Sequence, residues 1–76
     1  SSVVGVREVF QKALLANAVN IIMIHNHPSG DCTPSREDIN ITKRLVDAGE
    51  LLGVSVLDHI IVVGDGYCSL KEKGFI

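Results

Sequence analysis

The sequence predicts a single small α/β domain, with helices packed on a mixed β-sheet. Three features predict it. A short β-branched run, Asn20-Ile21-Ile22-Met23-Ile24-His25, follows a segment with helical apolar spacing. A second strand-like run over residues 54–63 is separated from the first by an amphipathic stretch long enough to cross over. An Asp-Gly pair, Asp65-Gly66, then separates that run from a third short one, which is a hairpin signal.

The elements follow in order. Residues 6–17 place Val6, Phe10, Ala13, Leu14 and the neighbouring Ala18 on one side, with Arg7, Gln11 and Lys12 on the other, which predicts a helix. Residues 20–25 read as a buried strand. Asn26, Pro28, Ser29, Gly30, Asp31 and Pro34 supply turn chemistry, so residues 26–35 read as a loop. The second helix is predicted over residues 34–52, with an inward stripe at Ile41, Leu45, Ala48 and Leu52 and with Gly53 as its C-terminal cap. A long strand over 54–63 ends at Gly64-Asp65-Gly66, and residues 67–70 form its antiparallel partner. Strand, helix, strand is a crossover unit that makes the first two strands parallel and right-handed in connection. The tail, residues 71–76, has no assigned element. Three strands are few for two helices to cover, so further strands are expected on the N-terminal side. Residues 1–76 thus read as the C-terminal portion of one domain.

Composition narrows the function classes. The 76 residues are 46% hydrophobic and 21% charged, with three aromatics, Phe10, Tyr67 and Phe75. A chain this short buries only about 60% of its unfolded surface, so its core calls for a metal, a partner subunit such as a second copy in a homodimer, or the rest of its domain. A net charge of −2 carries no duplex-DNA footprint. Arg36, Lys43 and Arg44 give the second helix a modest basic face, solvated by default and a nucleic-acid contact in the sharper reading. No apolar run approaches the 18 or so residues a membrane span needs, and Ser-Ser-Val-Val-Gly-Val at the start reads as neither a signal nor a transit peptide. Cys32 and Cys68 form no CxxC and too few pairs for a disulfide framework, so both are expected as reduced thiols of a cytoplasmic protein.

Chemistry concentrates in residues 25–38. His25 and His27 are two apart at a strand end, so both imidazoles leave the same face. Carried backward along the inward stripe, the helix places Asp38 and then Ser35 on the core-facing side of its first turn. A carboxylate aimed at the sheet needs a counter-charge or several hydrogen bonds. In a crossover unit the strand end and the helix start share one edge of the sheet. Two His and one Asp suit Zn²⁺ with a fourth position left for water, and Ser35 is placed to donate its hydroxyl to an oxyanion. The competing reading makes Ser35 the N-cap and Asp38 its capping-box partner. A cap at Thr33 with Pro34 at N1 would instead free Ser35 and Asp38 for the metal. Neighbouring motifs fail. There is no PCxxC to make a zinc deaminase, no HExxH, no GxSxG and no phosphate loop.

His25-Asn26-His27-Pro28-Ser29-Gly30 followed by Pro34-Ser35-x-x-Asp38 resembles the JAMM (MPN+) metalloprotease motif. Arg7-Glu8-Val9-Phe10, Thr42-Lys43-Arg44-Leu45, Leu57-Asp58-His59-Ile60-Ile61 and Ser69-Leu70-x-Glu72-x-Gly74 are similar to the RadC-like branch, so the resemblance covers nearly the whole chain. It implies a JAB/MPN fold related to the cytidine-deaminase sandwich, a zinc ion held by His25, His27 and Asp38, oxyanion assistance from Ser35, and hydrolysis of peptide or isopeptide amides. It also implies a DNA-repair association, with a non-catalytic module in a DNA-linked complex as the alternative role. The JAMM pattern further requires a glutamate on a strand well upstream of H-x-H as general base, and this chain starts too late to carry it. Glu8 sits where a first helical turn favours an acid and is a weak stand-in. Asp58 and His59 are adjacent on a strand and point to opposite faces, so at most one approaches the site. The default is a buried, hydrogen-bonded polar residue, with His59 supporting the ligands as the sharper reading, and Asn26 is expected to shape the loop or orient a carbonyl. Cys32 lies in the site loop, where the RadC-like pattern more often has proline.

Overall fold

The structure, a computed structural model, describes residues 5–76; the reading of the first residues as free of a leader lies on residues 1–4, outside the described residues. The elements run α1 (Val6–Leu15), β1 (Asn20–Asn26), α2 (Arg36–Leu52), β2 (Ser55–Val63) and β3 (Gly66–Ser69). The sheet order is β1-β2-β3, with β1 and β2 parallel and β2 and β3 antiparallel. This is the mixed α/β architecture expected from the sequence. No described helix is long and apolar enough to cross a membrane.

Both helices lie on one face of the sheet. Val9, Phe10 and Ala13 of α1 meet Leu45 of α2 and Val54 and Val56 at the start of β2, and Ile21 and Met23 of β1 pack against them. Leu14 is half-exposed, so the buried side of α1 is narrower than its apolar spacing suggests. The buried positions of α2 are Asp38, Thr42, Leu45 and Gly49. The expected stripe is therefore right at Asp38 and Leu45 but rotated elsewhere: Leu52 is exposed and Ile41 and Ala48 are only partly covered. Gly49 explains the rotation. A Cβ there would run into the Val54 carbonyl and touch Phe10, so this face of α2 approaches the chain more closely than a side chain permits. Gly53 ends α2 in the left-handed conformation at φ 75°, as a C-cap glycine should.

A β-bulge decides which polar residue enters the core. Ile21 pairs with Val56 and Ile22 with Asp58, leaving Leu57 unmatched. Simple alternation from Val56 would turn Asp58 inward. The extra residue reverses the phase, so His59 and Ile61 face the helices. Asp58 faces the other way and ties the chain end down. Its carboxylate accepts from the Ser69 hydroxyl at 2.5 Å, from the Lys71 N–H at 3.0 Å and from the His59 N–H at 2.7 Å. The tail then folds as a turn, with Phe75 N–H donating to Leu70 O at 2.9 Å, and Ile76 returns to the core cluster.

One expectation is corrected, and one open alternative is decided. Cys32 and Cys68 are joined in a disulfide, not held as separate thiols, with Cα atoms 5.6 Å apart across 36 residues of sequence. Cys68 lies opposite Ile61, on the inward side of β3, and the site loop crosses the sheet to reach it. That path is set by tertiary structure and leaves no trace in cysteine spacing. Of the two N-cap registers that the sequence leaves open for α2, the structure takes Ser35 and not Thr33.

Candidate metal centre

The site stands where β1 ends and α2 begins. His25 is in β1, and His27 lies one residue beyond it. The His27 N–H still donates to Val62 O at 3.2 Å, which prolongs the parallel ladder and keeps the backbone extended. Both rings therefore leave the same face, with centroids 4.9 Å apart.

Asp38 comes from the opposite side, in the first turn of α2. Ser35 and Asp38 form a reciprocal capping box: the Asp38 N–H donates to Ser35 Oγ at 3.0 Å, and the Ser35 N–H donates to Asp38 Oδ2 at 2.8 Å. The cap and the metal reading, posed as alternatives by the sequence, are one device. The box fixes the carboxylate, and the fixed carboxylate faces both imidazoles, with Oδ1 3.3 Å from His25 Nε2 and Oδ2 3.1 Å from His27 Nε2. Burial alone would raise the pKa of Asp38. The Ser35 hydrogen bonds, joined by the two imidazoles when these carry charge, outweigh it and hold the carboxyl below its ordinary value.

One ligand atom from each of His25, His27 and Asp38 lies within 4.8 Å of the others. Donors about 2.0–2.2 Å from a tetrahedral ion lie roughly 3.3–3.6 Å from one another, so the nitrogen–oxygen contacts of 3.3 and 3.1 Å are close to what a shared small cation needs. The protons agree. His27 Nδ1 is 3.0 Å from the Asp31 carbonyl, which can only accept, so Nδ1 carries the proton and a neutral ring leaves Nε2 bare. A bare nitrogen facing a carboxylate oxygen at 3.1 Å needs a cation between them, either a second proton on the ring or a metal.

Behind His25 lies His59, 3% exposed, with Nε2 2.7 Å from His25 Nδ1 and Nδ1 2.6 Å from Thr42 Oγ1. Burial, then the nearby His25, pushes the His59 pKa down, so the ring is neutral at ordinary pH. Ser35 Oγ accepts within the capping box, so its own proton stays free to donate. The remaining sequence candidates lie apart from the group. Asn26 points to the exposed face of β1. Glu8 is exposed in the first turn of α1, its carboxylate folded back over Gly5. Thr42 escaped sequence reasoning; a polar residue one turn after Asp38 on a core-facing stripe was the available signal.

The RadC-like JAB domain profile matches residues 1–75. This chain belongs to the RadC-like JAB domain family. It is 58% identical to a UPF0758 protein of Methanosarcina acetivorans across all of its own length, and 60% identical to one of Caldanaerobacter subterraneus across 99% of it. A UPF0758 protein of Desulforamulus reducens is also 58% identical over the full chain. The chain spans about a third of the length of these relatives, 32–34%. Within the RadC-like JAB domain, the His/His/Asp group is the one cluster of its kind among the described residues.

Proposed function

We propose that this chain carries the metal-binding part of a zinc-dependent hydrolase of the JAMM type, which cleaves peptide or isopeptide amide bonds. One observation carries the reading: two imidazole nitrogens face the two oxygens of one carboxylate at 3.3 and 3.1 Å, an arrangement that a shared cation would satisfy. His25, His27 and Asp38 would hold the ion. When bound, zinc lowers the pKa of its water to about 7 and polarises a carbonyl.

The chain's own residues then divide the work. Asp38, fixed by the capping box, sets where the cation sits relative to the helix start. Ser35 presents a free hydroxyl proton beside that carboxylate, placed to donate to the oxygen of a scissile carbonyl as charge develops on it. No further carboxylate joins the group among the described residues, and the JAMM pattern takes its general base from a glutamate on a strand upstream of H-x-H. The groove on α2 that would serve a nucleic acid mixes Arg36 and Arg44 with Glu37, so charge does not favour the DNA-linked alternative.

The test is cleavage of an isopeptide-linked substrate by the full polypeptide loaded with zinc. Turnover should vanish on chelation, return with zinc, and fall about 10²–10³-fold in Ser35→Ala. Stoichiometric zinc with no cleavage of peptide or isopeptide bonds, together with salt-sensitive DNA binding, would move the assignment to the non-catalytic module.

A further inference from the structure

A deeply buried pair of polar side chains lies one layer behind the metal-facing atoms. Thr42 is fully buried and His59 nearly so, and neither side chain belongs to the His25–His27–Asp38 group. We propose that Thr42 and His59 are positioning residues that set the tautomer of His25, leaving its Nε2 bare and aimed at the cation. This rests on the zinc reading for its purpose but not for its geometry.

Along the relay from Asp38 through Thr42 and His59 to His25, the direction of each hydrogen bond follows from one proton. Thr42 Oγ1 lies 2.7 Å from the main-chain carbonyl of Asp38 and 2.6 Å from His59 Nδ1. A carbonyl cannot donate, so the single hydroxyl proton of Thr42 goes to Asp38 O. Towards His59 the same oxygen can only accept, so His59 Nδ1 carries a proton. The neutral ring then has a bare Nε2, and His25 Nδ1, 2.7 Å away, must donate to it. His25 is left with its lone pair on Nε2, the atom 3.3 Å from Asp38 Oδ1. The relay starts on the backbone of one proposed ligand and ends on the ring of another, so it also fixes helix α2 against the sheet.

Two features make this more than core packing. The bulge at Leu57 is what turns His59 rather than Asp58 inward at this level. His27 reaches the same tautomer by a separate route, through the Asp31 carbonyl, so both rings present Nε2 to one carboxylate. Remove the Thr42 hydroxyl and His59 gains by moving its proton to Nε2. It then donates to His25 Nδ1, and the His25 proton shifts to Nε2, where it blocks ligation.

The experiment is histidine-selective ¹⁵N NMR of the full polypeptide, stripped of metal, above the pH range in which imidazoles titrate, with zinc affinity measured in parallel. Wild type should show His25 and His59 protonated on Nδ1. Thr42→Val, which keeps the branched shape, should move the His25 proton to Nε2 and weaken zinc binding about 10–100-fold. Thr42→Ser should restore both readouts. A purely structural role would lower the melting temperature in Thr42→Val but leave the tautomer unchanged, which overturns the proposal. Wild-type His25 protonated on Nε2 overturns it too, and that measurement stands even if Thr42→Val does not fold. If wild type and His27→Ala alike take up no zinc, the metal reading fails, while the wild-type tautomer still decides the relay.

Discussion

The two faces of the sheet are built from alternate residues of the same strands and have opposite characters. On the inward face, Ile61 is fully buried, Met23 packs on the core, and His25, His27 and His59 are gathered with Asp38 and Thr42 into one bonded network. On the outward face, Ile22 is 51% and Ile24 64% exposed, Leu57 is open, and Asn26 ends the row. At the His25–His59 end of the inward face polar side chains are buried beside the apolar core, whereas the outward face leaves Ile22 and Ile24 exposed, and both depart from what solvation alone favours. The difference teaches that the polar end of the inward face is organised around the Asp38 carboxylate, whereas the outward face is open among the described residues. Nothing among the described residues covers it, and the chain accounts for only about a third of its relatives' length.

Several changes would break or sharpen this contrast, and the largest effect belongs to the strap over the inward face. The Cys32–Cys68 bridge closes a loop of 36 residues, for which the chain-entropy account gives about 3–4 kcal/mol. Denaturant unfolding with and without a dithiol reductant should differ by that much, and an unchanged midpoint would show the strap to be idle. Gly49→Ala comes next. Its methyl meets the Val54 carbonyl, a backbone atom with little room to yield, so a loss of about 1–3 kcal/mol is expected in thermal or chemical melts.

The effect of Asp58 depends on pH. Burial would raise its pKa, but hydrogen bonds from Ser69, Lys71 and His59, with the Lys71 charge, keep it below its ordinary value of 3.8. The unfolded chain therefore binds this proton more readily than the folded one. The stabilisation is complete above the ordinary carboxylate range and is lost as pH falls through the lower folded value. Unfolding free energy measured against pH should slope less steeply in that acid range for Asp58→Asn. The smallest effect belongs to the outward face: Ile24→Thr should change stability by less than about 0.5 kcal/mol if the face is bare. A loss above about 1 kcal/mol in the full polypeptide would show that sequence outside residues 5–76 covers it.

Much of this was legible in the sequence because it is local. The parity of His25 and His27, the crossover between β1 and β2, the Asp65-Gly66 hairpin and the Gly53 cap each depend on a few neighbouring residues. Asp38 was placed on the correct face because the apolar stripe and the true buried face coincide at Asp38 and Leu45. They part at Thr42 and Gly49, where a hydroxyl and a missing side chain do the packing that hydrophobic periodicity assigns to Ile41 and Leu52. The bulge is a property of two strands together, so alternation along β2 alone could not say whether Asp58 or His59 turns inward. The cysteine pair is likewise joined by the path of the loop across the sheet and not by any spacing.

The central claim is a cation shared by His25, His27 and Asp38, and metal content tests it most directly. Elemental analysis of the purified full polypeptide should find one zinc per chain in wild type and none in His27→Ala, with both proteins folded. Equal zinc in the two, or none in either, would contradict it.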